Sequence, residues 1–210
     1  MIDFTPMHDA AADKLFIREQ DLLLDGYRLG MQIVESGFRP DFMVGIWRGG
    51  SSVGIVVQEC LQYFGIDTDH ISIRTSYRGA ATYQQVIDNA DSIRVHGLQY
   101  LLETMNADDK FLIVDDVYSS GLNVKAVIDR LTYKMRKNMP GEVRIAVPWY
   151  KPDRNRTGRA PDYYVHETDK WLVLPYELTG LSLEEICRHK EGLESILEEL
   201  KDCLPDDSGR

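Results

Sequence analysis

Two adjacent carboxylates followed by a turn of small residues are the groups in this sequence best placed for chemistry. The apolar run 111–114 leads into Asp115 and Asp116, and Ser119-Ser120-Gly121 then opens a segment with helical periodicity. Carboxylates at the carboxyl end of a strand accept hydrogen bonds from a ribose diol, while free N–H groups at a helix start attract a phosphate dianion. The segment therefore predicts a site for a phosphorylated sugar. An acidic strand end before an ordinary capped helix is the alternative.

The segment lies in an alternating series of predicted strands and helices. Helical spacing of apolar residues, apolar runs of strand length and bounding Gly and Pro residues define these elements. They are a helix over 13–35, a strand over 42–47, a helix from Ser51 to Phe64, a strand over 70–73, a strand over 111–114, a helix from Ser119 towards Lys137 and a strand over 143–147. Such alternation is typical of an α/β fold with a doubly wound, mostly parallel sheet.

Residues 74–97 interrupt this alternation. They are polar, contain Gly79 and Gly97 and show no sustained hydrophobic period. A loop of this length inside a compact domain usually has a function. We therefore expect residues 74–97 to form a mobile lid loop.

The residues after 150 predict a smaller lobe. The pieces 162–166 and 170–174 are strand-like and follow a basic loop that contains Gly and Pro residues. With 43% hydrophobic residues among 210, the chain can build one well-buried core but hardly two full domains. We therefore expect a single domain over 1–204, with a core at about 38–150 and a small hood at about 151–180 that includes N-terminal residues.

The C-terminal region combines a helical pattern with a polar tail. Ser182 and Glu185 have the spacing of a capping box, and apolar residues recur at helical spacing after them. This pattern predicts a helical segment over 182–204, for which a break at Gly192 is the open alternative. Residues 205–210 are expected to be a disordered tail.

Charge and cysteine content exclude several classes of protein. A net charge of −10 at pH 7 and the lack of a large Lys/Arg cluster argue against nucleic-acid binding, which requires a basic face. Cys60, Cys187 and Cys203 are odd in number and form no C-x-x-C pair, so they predict neither a disulfide framework nor a zinc site. We find no secretion signal and no run of about 18 apolar residues, so we expect a cytoplasmic protein without membrane insertion.

The strand, the acid pair and the Ser/Gly turn together resemble the phosphoribosyl pyrophosphate signature of type I phosphoribosyltransferases. The resemblance extends from Arg39 to about Glu185 and is greatest to the xanthine and hypoxanthine-guanine branch. It implies the type I fold and catalytic roles for Asp115, Asp116 and Ser119. It also implies that the co-substrate, phosphoribosyl pyrophosphate, is bound by Tyr118, Ser119, Ser120, Gly121, Leu122 and Asn123.

Two further stretches are similar to parts of these enzymes that contact the same co-substrate. Arg48 and Gly49 stand in the run WRGG, which resembles the family's pyrophosphate loop, where a cis peptide is often used. Ser76 and Tyr77 stand in the run TSYRG, which resembles a Ser-Tyr lid that folds over the sugar and excludes water. A simple tight turn and an ordinary exposed loop are the alternatives.

The resemblance also implies residues that recognise the base. Lys151 matches a lysine that the related enzymes direct at the exocyclic oxygen of a 6-oxopurine. Residues 169–177 resemble the hood of xanthine-type enzymes, where a tryptophan stacks on the base and a carboxylate binds magnesium. The base-binding roles carry over to Lys151, Trp171 and Leu172, and the metal role carries over to Glu177. Ordinary core or surface positions are the alternatives.

Two positions depart from the family pattern. Ser119 occupies the place where purine-specific relatives commonly have an aspartate that bonds the base, and a hydroxyl cannot offer the same charge. Asn123 stands where the signature usually has a hydroxyl residue on the phosphate, although an amide still donates a hydrogen bond. These departures bear on base preference and turnover more than on phosphate binding.

The resemblance implies a purine-salvage enzyme that transfers the 5-phosphoribosyl group from phosphoribosyl pyrophosphate to hypoxanthine, guanine or xanthine, with Mg²⁺ as cofactor. The expected partners are these small molecules and further copies of the chain, in a homodimer or homotetramer. Two other functions stay open. One is a regulator that binds phosphoribosyl pyrophosphate or a nucleotide without catalysis, and the other is a transferase for a different base.

Overall fold

The chain forms two compact units in the computed structural model, which describes residues 14–77 and 93–199. The larger unit is Leu23–Asp169. The smaller unit combines the residues up to Leu22 with those from Lys170 onward. No helix in the described ranges is long and apolar enough to cross a membrane.

Strands and helices alternate along much of the chain. In chain order the described elements are β1 (Lys14–Phe16), α1 (Glu19–Glu35), β2 (Phe42–Trp47), α2 (Gly49–Tyr63), β3 (Asp69–Tyr77), β4 (Ile93–His96), α3 (Gln99–Thr104), β5 (Lys110–Val114), β6 (Val117–Tyr118), α4 (Leu122–Met135), β7 (Glu142–Tyr150), β8 (Tyr163–Glu167), β9 (Trp171–Val173), α5 (Leu183–His189) and α6 (Leu193–Glu199). Short 3-10 turns follow α4 and β7.

The larger unit is built on one sheet, whose described strands have the order β4-β3-β2-β5-β7-β6, with β8 also paired to β7. β3 and β4 are antiparallel, and the other pairs are parallel. Alternate residues of the central strands, such as Val44, Ile113 and Ile145, share a core cluster with α4, and their neighbours on the other face are buried too. Burial of both faces explains the nearly continuous apolar runs. The predicted α/β fold with a doubly wound, mostly parallel sheet is confirmed.

The first predicted helix is shorter than expected. Residues 14–16 form β1, which pairs in parallel with β9, and the helix begins only at Glu19. The prediction of a helix from residue 13 is therefore wrong at its start. A strand of three residues is defined by its partner, which is distant in the sequence, and its own residues show too little periodicity to reveal it.

The loop predicted over 74–97 is wrong at both of its ends. Residues 74–77 complete β3, and residues 93–96 form β4, which pairs with β3. Partly buried and exposed side chains alternate along β4, but this strand periodicity lasts for only 4 residues. Because β4 is held by its main-chain pairing with β3, it forms a strand although its side chains are largely polar. The rest of the predicted lid, residues 78–92, lies outside the described residues.

The smaller unit packs its two parallel strands against the C-terminal helices. The predicted capping box is confirmed, because the Ser182 hydroxyl accepts from the Glu185 amide and the Glu185 carboxylate accepts from the Ser182 amide. The alternative of a break at Gly192 is also confirmed, since this glycine separates α5 from α6 with a left-handed φ of 77°. The single domain over 1–204 remains a prediction. The tail over 205–210 lies outside the described residues.

Candidate functional site

The carboxyl end of β2 passes directly into α2, which begins at Gly49. The peptide bond between Trp47 and Arg48 is cis, a feature that the resemblance to a pyrophosphate loop implies. Arg48 is exposed and precedes the helix without a side-chain cap. The predicted helix start at Ser51 is wrong, because the Gly-Gly pair is already helical and the Ser51 hydroxyl hydrogen-bonds with that of Ser72.

Two glycines let the start of α2 approach the sheet closely. A Cβ atom on Gly50 would lie 2.5 Å from the carbonyl oxygen of Val114 and 2.8 Å from the Cα atom of Asp115. A Cβ atom on Gly45 would lie 2.8 Å from the carbonyl oxygen of Gly50. Side chains do not tolerate such short contacts with backbone, so only glycine fits at both positions. This packing brings the WRGG loop beside the end of β5, where the acid pair begins.

The acid pair follows β5 at its carboxyl end. Asp115 is 8% exposed, and its Oδ1 accepts a hydrogen bond from the Asp116 amide at 3.1 Å. The Asp116 Oδ1 in turn accepts from the Val117 amide at 2.8 Å. Burial, followed by repulsion from the Asp116 carboxylate, raises the pKa of Asp115 well above its usual value. Hydroxyl donors from a ligand would favour the ionised form that burial disfavours.

The turn after the acid pair leads through a left-handed glycine into α4. Gly121 precedes α4 with a left-handed φ of 75°, and a Cβ atom there would lie 2.5 Å from the Tyr118 hydroxyl oxygen. The helix therefore begins at Leu122, whose side chain is buried, and later than the predicted start at Ser119. The N–H groups of a first helical turn lack intrahelical partners. A cavity of about 190 Å³ opens here, lined by Asp115, Val117, Tyr118, Ser119, Ser120, Gly121, Asn123 and Val124.

The loop that follows β7 supports this turn. Tyr118 is 2% exposed, and its hydroxyl donates to the Arg159 carbonyl oxygen at 2.8 Å and lies 3.0 Å from the Thr157 hydroxyl oxygen. The Arg156 amide donates to the Ser120 carbonyl oxygen at 3.0 Å. The Tyr118 ring is therefore committed to the protein interior. The contact of Tyr118 with the co-substrate remains a prediction.

Lys151 adjoins the same turn. It follows β7, which runs beyond its predicted end to Tyr150, and the Lys151 amide donates to the Tyr118 carbonyl oxygen at 2.9 Å. Two acids near Lys151, Asp153 and Asp169, were not predicted from the sequence as site residues. Desolvation and then a hydrogen bond with Asp153 raise the pKa of Asp169, and the charge of Lys151 opposes this shift. No local spacing relates residues 153 and 169, because β8 separates them in the chain.

The predicted lid residues Ser76 and Tyr77 lie at the end of β3. The Ser76 hydroxyl oxygen is 2.9 Å from the Nε2 atom of His96 on β4. The sequence did not single out His96, because the pairing of β3 with β4 was not foreseen. Closure of these two residues over a sugar remains a prediction, since residues 78–92 lie outside the described part of the chain.

The smaller unit carries the remaining predicted residues. Trp171 on β9 is 47% exposed, whereas Leu172 is buried. The Glu177 Oε2 atom accepts a hydrogen bond from the Leu174 amide at 2.9 Å. No group of three or more His, Cys, Asp or Glu side chains in the described ranges could hold a metal ion. One carboxylate such as Glu177 nevertheless fits Mg²⁺, which usually takes its other oxygen ligands from water and substrate phosphates.

A larger depression of about 550 Å³ lies at the carboxyl end of α4. It is lined by Leu102, Tyr133, Lys134, Met135, Arg136 and Asn138. This lining contains no carboxylate that could accept hydrogen bonds from a ribose diol. We therefore assign the candidate site to the smaller cavity at the amino end of the same helix.

Replacing Asp115 by asparagine is expected to stabilise the folded protein at neutral and alkaline pH. An unfolded aspartate has a pKa of about 3.9, and the raised pKa of Asp115 means that the folded state binds its proton more tightly. Wild-type stability is therefore lost as pH rises from about 4 through the folded-state pKa, whereas the amide does not ionise. We expect the variant's Tm to exceed the wild-type Tm by about 2–4 °C or more at pH 8 and to match it near pH 4. An equal difference at both pH values would contradict the assignment.

Comparison with solved structures identifies similar folds. The chain resembles a purine phosphoribosyltransferase from Pyrococcus horikoshii at 24% identity and a TM-score of 0.58, over 81% of this chain and 98% of that chain. It resembles a xanthine-guanine-hypoxanthine phosphoribosyltransferase from Helicobacter pylori at 16% identity and 0.58, over 85% and 99% of the two chains. It also resembles a hypothetical protein from Neisseria gonorrhoeae with bound ppGpp at 20% identity and 0.62, over 86% and 97%.

A match to a family model shows the family of this chain, and that family agrees with the similar folds. Comparison with curated protein sequences gives no significant match. A family model described as the phosphoribosyl transferase domain matches residues 18–180, which include the cavity, the WRGG loop and the hood segment. The match confirms the family that the acid pair and its turn predicted. The chain therefore belongs to the phosphoribosyltransferase domain family.

Proposed function

We propose that the protein transfers the 5-phosphoribosyl group from phosphoribosyl pyrophosphate to a purine base, giving a nucleoside monophosphate and pyrophosphate. The observation that carries the proposal is the buried Asp115 with Asp116, beside the left-handed turn at Gly121 and the cavity of about 190 Å³. The family supports the reaction class, and the similar structures from P. horikoshii and H. pylori are described as purine enzymes. The proposed acceptors are hypoxanthine, guanine and xanthine.

In this proposal the larger unit holds the activated sugar. Asp115 and Asp116 accept hydrogen bonds from the ribose hydroxyls, and the N–H and polar groups of residues 118–123 bind the 5-phosphate. Arg48 and the Gly49 amide bind the diphosphate. As the bond from C1 to the diphosphate oxygen breaks, Arg48 stabilises the departing negative charge and the acid pair suits the positive charge that develops on the sugar. Magnesium, when bound, neutralises further diphosphate charge.

The base supplies the nitrogen that bonds to C1 as the diphosphate leaves, and the proton of this nitrogen passes to an oxygen of the departing diphosphate. Lys151 donates to the exocyclic oxygen of a 6-oxopurine, and Trp171 and Leu172 contact the base. Glu177 contributes a carboxylate oxygen for magnesium. Ser119 stands at the family's acidic position, where its hydroxyl can hydrogen-bond to the base but cannot hold the departing proton as a carboxylate would.

A second candidate function is a regulator that binds phosphoribosyl pyrophosphate or a nucleotide without transfer. Two observations favour it, namely Ser119 in place of the usual acid and the ppGpp bound to the similar protein from N. gonorrhoeae. The net charge of −10 argues against a regulator that acts on nucleic acid. A transferase for another base is a third candidate. A cytoplasmic location and a homodimer or homotetramer complete the proposal.

The purified protein tests these functions directly. It is incubated with Mg²⁺, phosphoribosyl pyrophosphate and a panel of purine and pyrimidine bases, while pyrophosphate release and nucleotide formation are followed together. We expect a nucleotide to form from at least one 6-oxopurine. Binding of phosphoribosyl pyrophosphate or ppGpp in calorimetry without pyrophosphate release would instead establish the regulator. Absence of any magnesium-assisted binding of phosphoribosyl pyrophosphate would contradict the proposal and its sugar site.

A further inference from the structure

Lys190 is almost completely removed from solvent, with 4% of its surface exposed. It follows α5, and its amide donates to the Ile186 carbonyl oxygen at 2.8 Å. Its ammonium group donates to the carbonyl oxygens of Leu174 and Pro175 at 2.6 and 3.0 Å. Lysine is rarely buried, and a buried ammonium is tolerated only when such hydrogen bonds compensate the loss of water. The two carbonyl groups therefore compensate the burial of this charge.

The two carbonyl groups belong to the turn that carries Glu177. The Leu174 amide donates to Glu177 Oε2 at 2.9 Å, and the Glu177 amide donates to the Leu174 carbonyl oxygen at 3.0 Å. That carbonyl oxygen thus receives both the Glu177 amide and the Lys190 ammonium. The carboxylates of Glu19 and, more weakly, Glu177 also attract the ammonium. Lys190 therefore hydrogen-bonds directly to the turn that carries the Glu177 carboxylate.

Helix α5 holds Lys190 in place through contacts that do not involve this turn. The His189 ring stacks on the Phe16 ring of β1, with centroids 3.8 Å apart. Lys14 of the same strand donates to the Glu185 carboxylate at 2.5 Å. The capping box fixes the first turn of the helix. The ammonium is therefore held at the turn by a helix whose two ends both make contacts outside the turn.

We propose that Lys190 is a positioning residue, which holds the turn 174–177 in the shape that lets Glu177 serve as a magnesium ligand. The inference rests on the proposed function, in which Glu177 has that role. In this task Lys190 acts through two carbonyl groups and not through the substrate. Its loss is therefore expected to weaken the binding of magnesium phosphoribosyl pyrophosphate more than it slows bond breaking.

The test compares Lys190→Met with the matched control Lys14→Met in the full chain. Both changes replace an ammonium by an apolar group, but Lys14 bonds to Glu185 on α5 and does not touch the turn 174–177. The capping box and the stack of His189 on Phe16 still hold α5 when Lys14 is replaced. NMR of the ligand-free protein measures exchange of the Glu177 amide hydrogen, which we expect to be at least about tenfold faster in Lys190→Met alone. The KM for phosphoribosyl pyrophosphate is expected to rise about tenfold, equivalent to about 1.4 kcal/mol, while kcat changes by less than about threefold.

Lys190→Arg keeps the charge and the donors, so its exchange rate and KM are expected to lie between those of the wild type and Lys190→Met. If Lys190→Met does not fold, Lys190→Arg is compared with Lys14→Met in its place. Unchanged exchange at Glu177, an equal increase in Lys14→Met, or faster exchange without a rise in KM overturns the proposal. A wild type that transfers to no base contradicts the proposed function instead. In that case the exchange comparison, with calorimetric binding of magnesium phosphoribosyl pyrophosphate in place of KM, still decides the role of Lys190.

Discussion

Replacing Asp115 and Asp116 together by asparagine is expected to lower the turnover of phosphoribosyl transfer by about two to three orders of magnitude. The amides keep the volume of the side chains but remove the negative charge that suits an oxocarbenium-like sugar. Asp115 lines the cavity, and burial already disfavours its charge. Removing that charge is therefore expected to preserve the fold. Steady-state kinetics with a saturating base, together with circular dichroism, measure both effects.

The chain offers a matched control for this variant. Asp108 and Asp109 are also adjacent acids, and they precede β5 where Asp115 and Asp116 follow it. Replacing Asp108 and Asp109 by asparagine changes the net charge equally, at the other end of the same strand. We expect this control to retain transfer within about threefold of the wild type. Similar kinetics of the two double variants would show that the acid pair has no special part in the reaction.

Gly50→Ala is expected to destabilise the protein by about 1–3 kcal/mol and to reduce transfer by about 10²-fold, because the added methyl group cannot fit. It would lie 2.5 Å from the Val114 carbonyl oxygen and 2.8 Å from the Asp115 Cα atom. These are backbone atoms, so relief requires movement of α2 away from β5. Such movement would separate the WRGG loop from the acid pair. Thermal unfolding and transfer kinetics test the two parts of this prediction.

Gly54→Ala in the same helix is the control for this substitution. Its Cβ atom would meet the Gly45 Cα atom at 3.8 Å, which is an ordinary van der Waals distance. Since alanine favours helices more than glycine does, we expect Gly54→Ala to be neutral or stabilising by about 0.5–1 kcal/mol and to keep its activity. A Gly50→Ala protein as stable and active as Gly54→Ala would show that α2 can shift without consequence for the site.

The elements that the sequence predicted correctly are those with local and repeated signals. The apolar runs at 42–47 and 111–114, the capping box at Ser182 and the helix break at Gly192 each depend on residues close together in the chain. Burial on both faces of a parallel strand and the conformational freedom of glycine are read directly from residue types. Among the elements that were missed, β1 and β4 are short strands whose partners lie elsewhere in the chain.

The sequence alone was sufficient to identify the family, the order of the main elements and the acid pair before a small-residue turn, because each is encoded in contiguous residues. Tertiary structure alone decided three features of the site. It placed Gly50 against Val114 and Asp115. It also bonded the Tyr118 hydroxyl to the loop after β7 and buried Lys190 against the turn that carries Glu177. These contacts join residues distant in the chain, and they depend on strand order and close packing, which no local pattern records.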